Sequence, residues 1–186
     1  MTRAPAPFPL ERLADIPERP EDFRLLERIP LTREPQSWPL ELSPMVGDEQ
    51  PMVLLDTETT GLSADDESII ELGMVKVLYS PSAKRIVSIV DVISLYEDPG
   101  KPIPELIIEL TGITDEMVQG QRIDEAMVAS WLSDDPLVVA HNAQFDRPFF
   151  EKRFAALGHL SWACSASGID WKALGFESRK LEYLLL

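Results

Sequence analysis

Asp56 and Glu58 stand two residues apart behind an apolar run, and Asp146 stands in a second segment of similar design. The first segment reads VLLDTETTG over 53–61 and the second VVAHNAQFD over 138–146. In a strand, side chains at i and i+2 share a face, so the carboxylates of Asp56 and Glu58 lie side by side with Thr57 turned away. Two like charges held this close beside a core strand repel each other and lose hydration. A divalent cation bound by hard oxygen ligands relieves both costs. So does a strand that simply ends in water, and the pair alone leaves both readings open. Asp146 reads either as a third metal-facing acid or as an acid favoured by a helix N-terminus. His141 reads either as a site residue or as a structural hydrogen-bonding one. Taken jointly the two segments are more specific than any single residue, and the TTGL turn after Glu58 adds a glycine and backbone N–H groups that admit a ligand closely.

These side chains need elements to carry them. Met52–Leu55 is a continuous apolar run of the kind a buried strand shows. Ile69–Tyr79 and Arg85–Leu95 alternate as an antiparallel pair does, with Lys76 between Val75 and Val77, joined by a Ser- and Pro-containing turn. Glu105–Leu110 predicts a short helix closed by Gly112, and 123–133 a second with Ala126, Met127, Trp131 and Leu132 on one face. Leu137–Ala140 predicts a fourth strand. Phe149, Phe150, Phe154 and Leu157 then recur at helical spacing up to Gly158. Pro148 belongs in a first turn, which starts that helix near Gln144–Asp146 with Asp146 at its N-terminal end. Another amphipathic helix is expected to begin in 177–186. The order β-β-β-α-α-β-α describes an α/β fold, a mixed sheet flanked by helices.

The 186 residues suffice for one domain with a core. Residues 1–51 hold ten of the sixteen prolines and one glycine. We therefore expect a proline-rich N-terminal arm over 1–50, with one short helix at 20–28, and a catalytic-type domain over 51–186. The arm is either a flexible tail or a strap against a partner or the domain surface. No apolar run approaches a membrane span, the N-terminus lacks a signal-like apolar region, and the single cysteine excludes an internal disulfide. A cytoplasmic protein with no membrane partner is expected. The net charge of −15, with eight acids and no Lys or Arg over 48–71, counsels against a broad nucleic-acid platform. A small acidic pocket that binds cations reverses its local sign and accepts phosphate, so gripping one chain end stays open.

The two acidic segments resemble the first two motifs of the DEDD family of 3′–5′ exonucleases, most of all the branch that contains the epsilon proofreading subunit of bacterial DNA polymerase III. LTGITDEM over 110–117 resembles the linking segment of that branch, with Thr111 where some members carry histidine. The resemblance covers about residues 52–160. It implies a ribonuclease H-like fold and phosphodiester hydrolysis with two Mg²⁺ or Mn²⁺ ions. Asp56 would bridge both ions, Glu58 would bind the one that activates water, and Asp146 would support the second directly or through water. Thr59, Thr60 and Leu62 would hold the terminal nucleotide, with Leu62 wedged against its base, while His141 and Phe145 would line the pocket for the next. Single-stranded nucleic-acid 3′ ends and a DNA polymerase or other replication protein are the partners it implies.

The family's last motif, His with Asp five residues on or Tyr with Asp four on, supplies the general base and a fourth acid. Five residues after His141 comes Asp146, already assigned, and five after His159 comes Cys164; no tyrosine has an aspartate four later. The sequence is accordingly expected to be a truncated member lacking the C-terminal element of the fold, or else a short form that binds without turnover. Hydrolysis of DNA ends in replication or repair is the leading expectation. Trimming of RNA 3′ ends and a non-catalytic nucleic-acid- or polymerase-binding module are the alternatives.

Overall fold

The computed structural model describes residues 16–19 and 38–184. The chain divides into two units, Met1–Gln36 and Ser37–Leu186. In the first, residues 16–18 form a turn; the helix expected over 20–28 lies outside the described residues. Among the described residues of the second, six strands form one sheet: β1 (Leu40–Glu41), β2 (Gln50–Thr59), β3 (Ile69–Ser80), β4 (Arg85–Tyr96), β5 (Leu137–Ala140) and β6 (Trp162–Cys164). The helices are α1 (Glu105–Thr111), α2 (Asp115–Val118), α3 (Glu125–Trp131), α4 (Ala143–Arg153), α5 (Ser165–Gly168) and α6 (Leu181–Leu184). Among the described residues no helix is long and apolar enough to cross a membrane.

The sheet order is β1-β4-β3-β2-β5-β6. Strands β2, β3 and β4 pair antiparallel through hairpins, while β5 adds to β2, and β6 to β5, in parallel. The mixed sheet is thus as expected, and β2 lies inside it. The two end strands, β1 and β6, and the short helices α2 and α5 were not foreseen. Residues 40–50, expected within the arm, supply β1, which pairs with β4, and a loop whose Asp48 accepts hydrogen bonds from Ser80 Oγ (2.6 Å) and the Ser82 N–H (2.9 Å).

Alternation along β2 sorts its side chains. Val53, Leu55, Thr57 and Thr59 are buried, while Leu54 and Asp56 look out from the other face. The buried face meets Val128 and Leu132 of the α3 region, Phe149 and Phe150 of α4, and Phe154, Leu157 and Leu160 beyond it. Asp124 caps α3 by accepting from the N–H groups of Ala126 (2.8 Å) and Met127 (3.3 Å). Gly112 closes α1 in the left-handed region at φ 75°. The pairing of β2 with β3 slips between Glu58 and Thr59, which leaves Ile70 as an extra residue on β3. Its side chain joins a second small core with Ile103, Ile113 and Val118.

Helix α4 departs from expectation at both ends. It begins at Ala143, so Pro148 lies inside it, and it stops at Arg153 because Phe154 leaves helical geometry at φ −124°, ψ 60°. A 3₁₀ turn over Ala155–Leu157 follows. This break still delivers Phe154 and Leu157 to the core, by a different backbone path from a continued helix. The expected C-terminal helix is present as the single turn Leu181–Leu184.

Phe150 is fully buried, with its ring 4.9 Å from that of Phe154 and 5.6 Å edge-on to Trp162. Removing it leaves a cavity bounded by helix and sheet alike. Phe150→Ala is expected to lower stability by about 3–5 kcal/mol, measured as a loss in the urea unfolding free energy, whereas Phe150→Leu should cost distinctly less.

Candidate active site

The acidic residues gather where β2 and β5 end. Pairing of these parallel strands stops at Leu55 opposite Ala140. Beyond that level the β2 edge has no strand beside it, and the Thr57 N–H would be left unpaired. Asp146, in the first turn of α4, takes it: one carboxylate oxygen accepts both the Thr57 N–H (3.0 Å) and the Thr57 hydroxyl (2.9 Å). The residue that alternation turns inward is therefore the one that binds the second motif's acid. Asp146 is only 2% exposed.

On the other face of β2, Asp56 stands opposite Gly73 and Glu58 opposite Glu71. Glu71 is a fourth acid in this group, not singled out from sequence, and Ser94 of β4 donates its hydroxyl to it. Like charges directly across a strand pair are unfavourable. The cost is visible in the titration of the group. Burial, then the nearby Glu71, raises the Asp56 carboxyl above its ordinary range, with His141 opposing. Glu58 is raised by burial, then by Asp56, Glu71 and Asp146. Asp146 is pushed up to about 6, chiefly by burial and further by Asp56, against the two Thr57 hydrogen bonds that favour its charged form. Asp56 has an open surface, yet the cleft around it withholds enough water to matter.

The turn after Glu58 is tightly tied. The Thr59 hydroxyl donates to the Gly61 carbonyl (2.6 Å), and the Thr60 N–H to the Ser68 carbonyl (2.9 Å). Thr60 Oγ1 donates to Glu67 and accepts from the Ser68 N–H. Glu67 in turn packs over Gly61, where a Cβ would meet its side chain at 3.0 Å and would have to displace it slightly. Both threonine side chains are thus buried loop-builders, while Leu62 at the tip is 87% exposed. On the β5 side, His141 Nε2 lies 2.7 Å from the Arg179 carbonyl and Nδ1 2.9 Å from Ser165 Oγ. A carbonyl only accepts, so Nε2 carries a proton, and in the neutral ring Nδ1 accepts from the serine. Phe145 stacks at a tilt on Phe149, 5.2 Å between centroids.

The structure therefore draws Asp56, Glu58 and Glu71 into one acidic face, with Asp146 close behind it but turned to Thr57. Among the described residues no three His, Cys, Asp or Glu side chains are arranged together to hold a metal ion. The donor chemistry of Asp56 and Glu58 nonetheless suits a hard divalent cation: two carboxylates, mutually repelled and partly dehydrated. Beside them Leu54, Val75, Val92, Val139 and Leu181 line a groove of about 510 Å³, with Asp56 and His141 also in its wall.

A family model described as Exonuclease matches residues 53–174. The chain is 42% identical over 108 residues to the PolC-type DNA polymerase III of Halalkalibacterium halodurans, and 39% identical over 113 residues to that of Bacillus subtilis. These matches take in 57% and 59% of this chain but 7% of each polymerase. A solved structure of product-bound exonuclease I shares the fold with a TM-score of 0.54 at 17% identity, over 73% of this chain and 37% of that one.

Asp146 titrates near 6 when folded against an ordinary 3.8. Between these values the folded state holds a proton that the unfolded chain has released, so this group's contribution to stability is full at the acid end and is lost as pH rises through 6. The difference amounts to about 3 kcal/mol at most. With metal chelated, Asp146→Asn should flatten the decline in urea stability between pH 4.5 and 7 relative to wild type, since an amide oxygen still accepts from Thr57 without titrating.

Proposed function

The chain belongs to the exonuclease family, and on that premise we propose that it engages the 3′ end of single-stranded DNA for phosphodiester hydrolysis. The observation that carries this reading is the pair Asp56 and Glu58 on one face of β2, with Asp146 bonded to the residue between them. Asp56 and Glu58 would hold divalent cations, Mg²⁺ or Mn²⁺, and Asp146 would support their binding directly or through water. Once bound, such ions supply Lewis-acid stabilisation of phosphate charge. Among the described residues no lysine or arginine forms an ion pair with Asp56 or Glu58, which favours metal loading. That loading turns a repulsive pocket into one that tolerates phosphate.

Leu62 lies against the terminal base, and the backbone of Thr59 and Thr60 borders the sugar. Their hydroxyls already serve the turn, so these two residues act through its shape. Phe145 and His141 border the next nucleotide, where stacking tolerates any base. A general base with its own aspartate is absent from the 186 residues. His141 does not replace it, because its Nε2 proton is committed to a carbonyl. For this stretch assayed by itself, the reading we propose is binding with slow hydrolysis. In a longer protein such a stretch would act beside a DNA polymerase, as the matched polymerases suggest.

Titration calorimetry with Mn²⁺ and an assay on 5′-labelled single strands test this together. Weak Mn²⁺ binding that disappears in Asp56→Ala is expected, with slow or no 3′ shortening and a preference for DNA over matched RNA. Fast, Asp56-dependent cleavage would show that no further base is needed, and Mn²⁺ binding untouched by Asp56→Ala would remove the site altogether.

A further inference from the structure

The loop over 60–68 carries the exposed Leu62 and three consecutive acids, Asp65, Asp66 and Glu67. A loop of this composition repels itself, yet it has to hold Leu62 at a fixed place if that residue is to meet a base. Lys152, in the last turn of α4, reaches across to it. Its ammonium group donates to the carbonyl oxygens of Ala64 (2.5 Å), Asp65 (2.9 Å) and Glu67 (3.4 Å). An ammonium has three donors and no acceptor, and three converging carbonyls match it one for one. From a separate loop, Lys101 Nζ donates to Glu67 Oε2 (2.7 Å) and to the Asp66 carbonyl (3.4 Å).

From this arrangement we infer that Lys152 is a positioning residue for the terminal-nucleotide loop. The inference rests on the functional reading above, and it extends that reading to a side chain outside both acidic segments. Lys152 gathers carbonyls that would otherwise point to water and draws the loop into one curve, with Leu62 at its tip. The charge matters beyond the geometry. It also acts on the Glu67 carboxylate, which Lys101 first and Lys152 more weakly hold below its ordinary range. Lys101 secures the Glu67 side chain, which fixes Thr60 and lies over Gly61. Lys152 thus acts on the loop backbone, and Lys101 on the Glu67 side chain and the Asp66 carbonyl. Six residues before Lys152, the same helix presents Asp146 to Thr57. One rigid helix therefore sets the spacing between the acids and the loop tip.

The test compares wild type, Lys152→Met, Lys152→Arg and Lys101→Met as full chains. Lys152→Met keeps the stem and loses the charge, and circular dichroism checks that each variant is folded. Amide hydrogen exchange over 61–67 should speed up about tenfold or more in Lys152→Met, with exchange in β3 and β4 unchanged and partial recovery in Lys152→Arg. Affinity for an oligothymidylate with a free 3′ hydroxyl, measured in Ca²⁺, should fall by a similar factor, while Mn²⁺ affinity stays at the wild-type value. Unchanged loop exchange in Lys152→Met overturns the clamp. Faster loop exchange with full oligonucleotide affinity overturns its positioning role. If wild type itself binds no oligonucleotide, the assignment of the loop to a chain end falls, and with it the positioning role, while exchange still reports whether the clamp exists.

Discussion

The bond between Asp146 and Thr57 is the constraint on which the rest of this site depends. It joins residues 89 positions apart, a helix's first turn to a central strand, through one buried carboxylate oxygen with two donors. Breaking it would leave a Thr57 N–H, a hydroxyl and a carboxylate without partners at a nearly dry position, each with its own desolvation cost. The link also decides the direction in which α4 leaves β5. Once Asp146 is bound to Thr57, Phe149 and Phe150 must face the sheet, and Lys152 must end near the loop that follows β2.

The same link explains how three acids are kept near one another in a protein that is already strongly negative. Asp56 and Glu58 lie on a shared strand face, so their proximity is a property of pleating. Asp146 is added from behind, where its charge is held by donors from the backbone and a hydroxyl. Glu71 is added from the side by the β2–β3 register. The fold thus concentrates negative charge from three directions and balances little of it locally. Three cations on this side of the sheet are engaged elsewhere: Arg153 binds Glu97, Glu125 and the Ile123 carbonyl, and Lys101 and Lys152 bind the loop. Burial and repulsion raise the proton affinity of Asp56, Glu58 and Asp146.

Much of this was legible in sequence because pleating and helical spacing are local rules. β3 and β4 declared themselves by alternation, β5 by an apolar run before a polar turn, and the joint presence of Asp56, Glu58 and Asp146 by two segments of like design. What stayed hidden is non-local. β1 and β6 have two and three residues, too few to display a period, and each exists only because a neighbouring strand offers an open edge. Glu71 looked like one more acid in an acidic stretch, since its place opposite Glu58 depends on a hairpin register that one bulge resets. Phe154 continued the helical period of α4 although the backbone leaves the helix there; a buried aromatic reports that a side chain reaches the core, and does not report by which path.

The position of Pro148 shows how these local and distant demands are reconciled. A proline inside a helix removes one N–H and sets its ring against the preceding turn. Here the carbonyl that the proline cannot pair is that of Gln144, an exposed residue in the first turn of α4. The helix can therefore begin as early as Ala143, early enough to place Asp146 in its first turn, and still run to Lys152. A start after Asp146, with the proline at the first helical position, would free that carboxylate from the helix and let it swing away from Thr57. The tolerated fault at Gln144 is thus a condition for a single helix to hold both an acid of the site and the clamp of its loop.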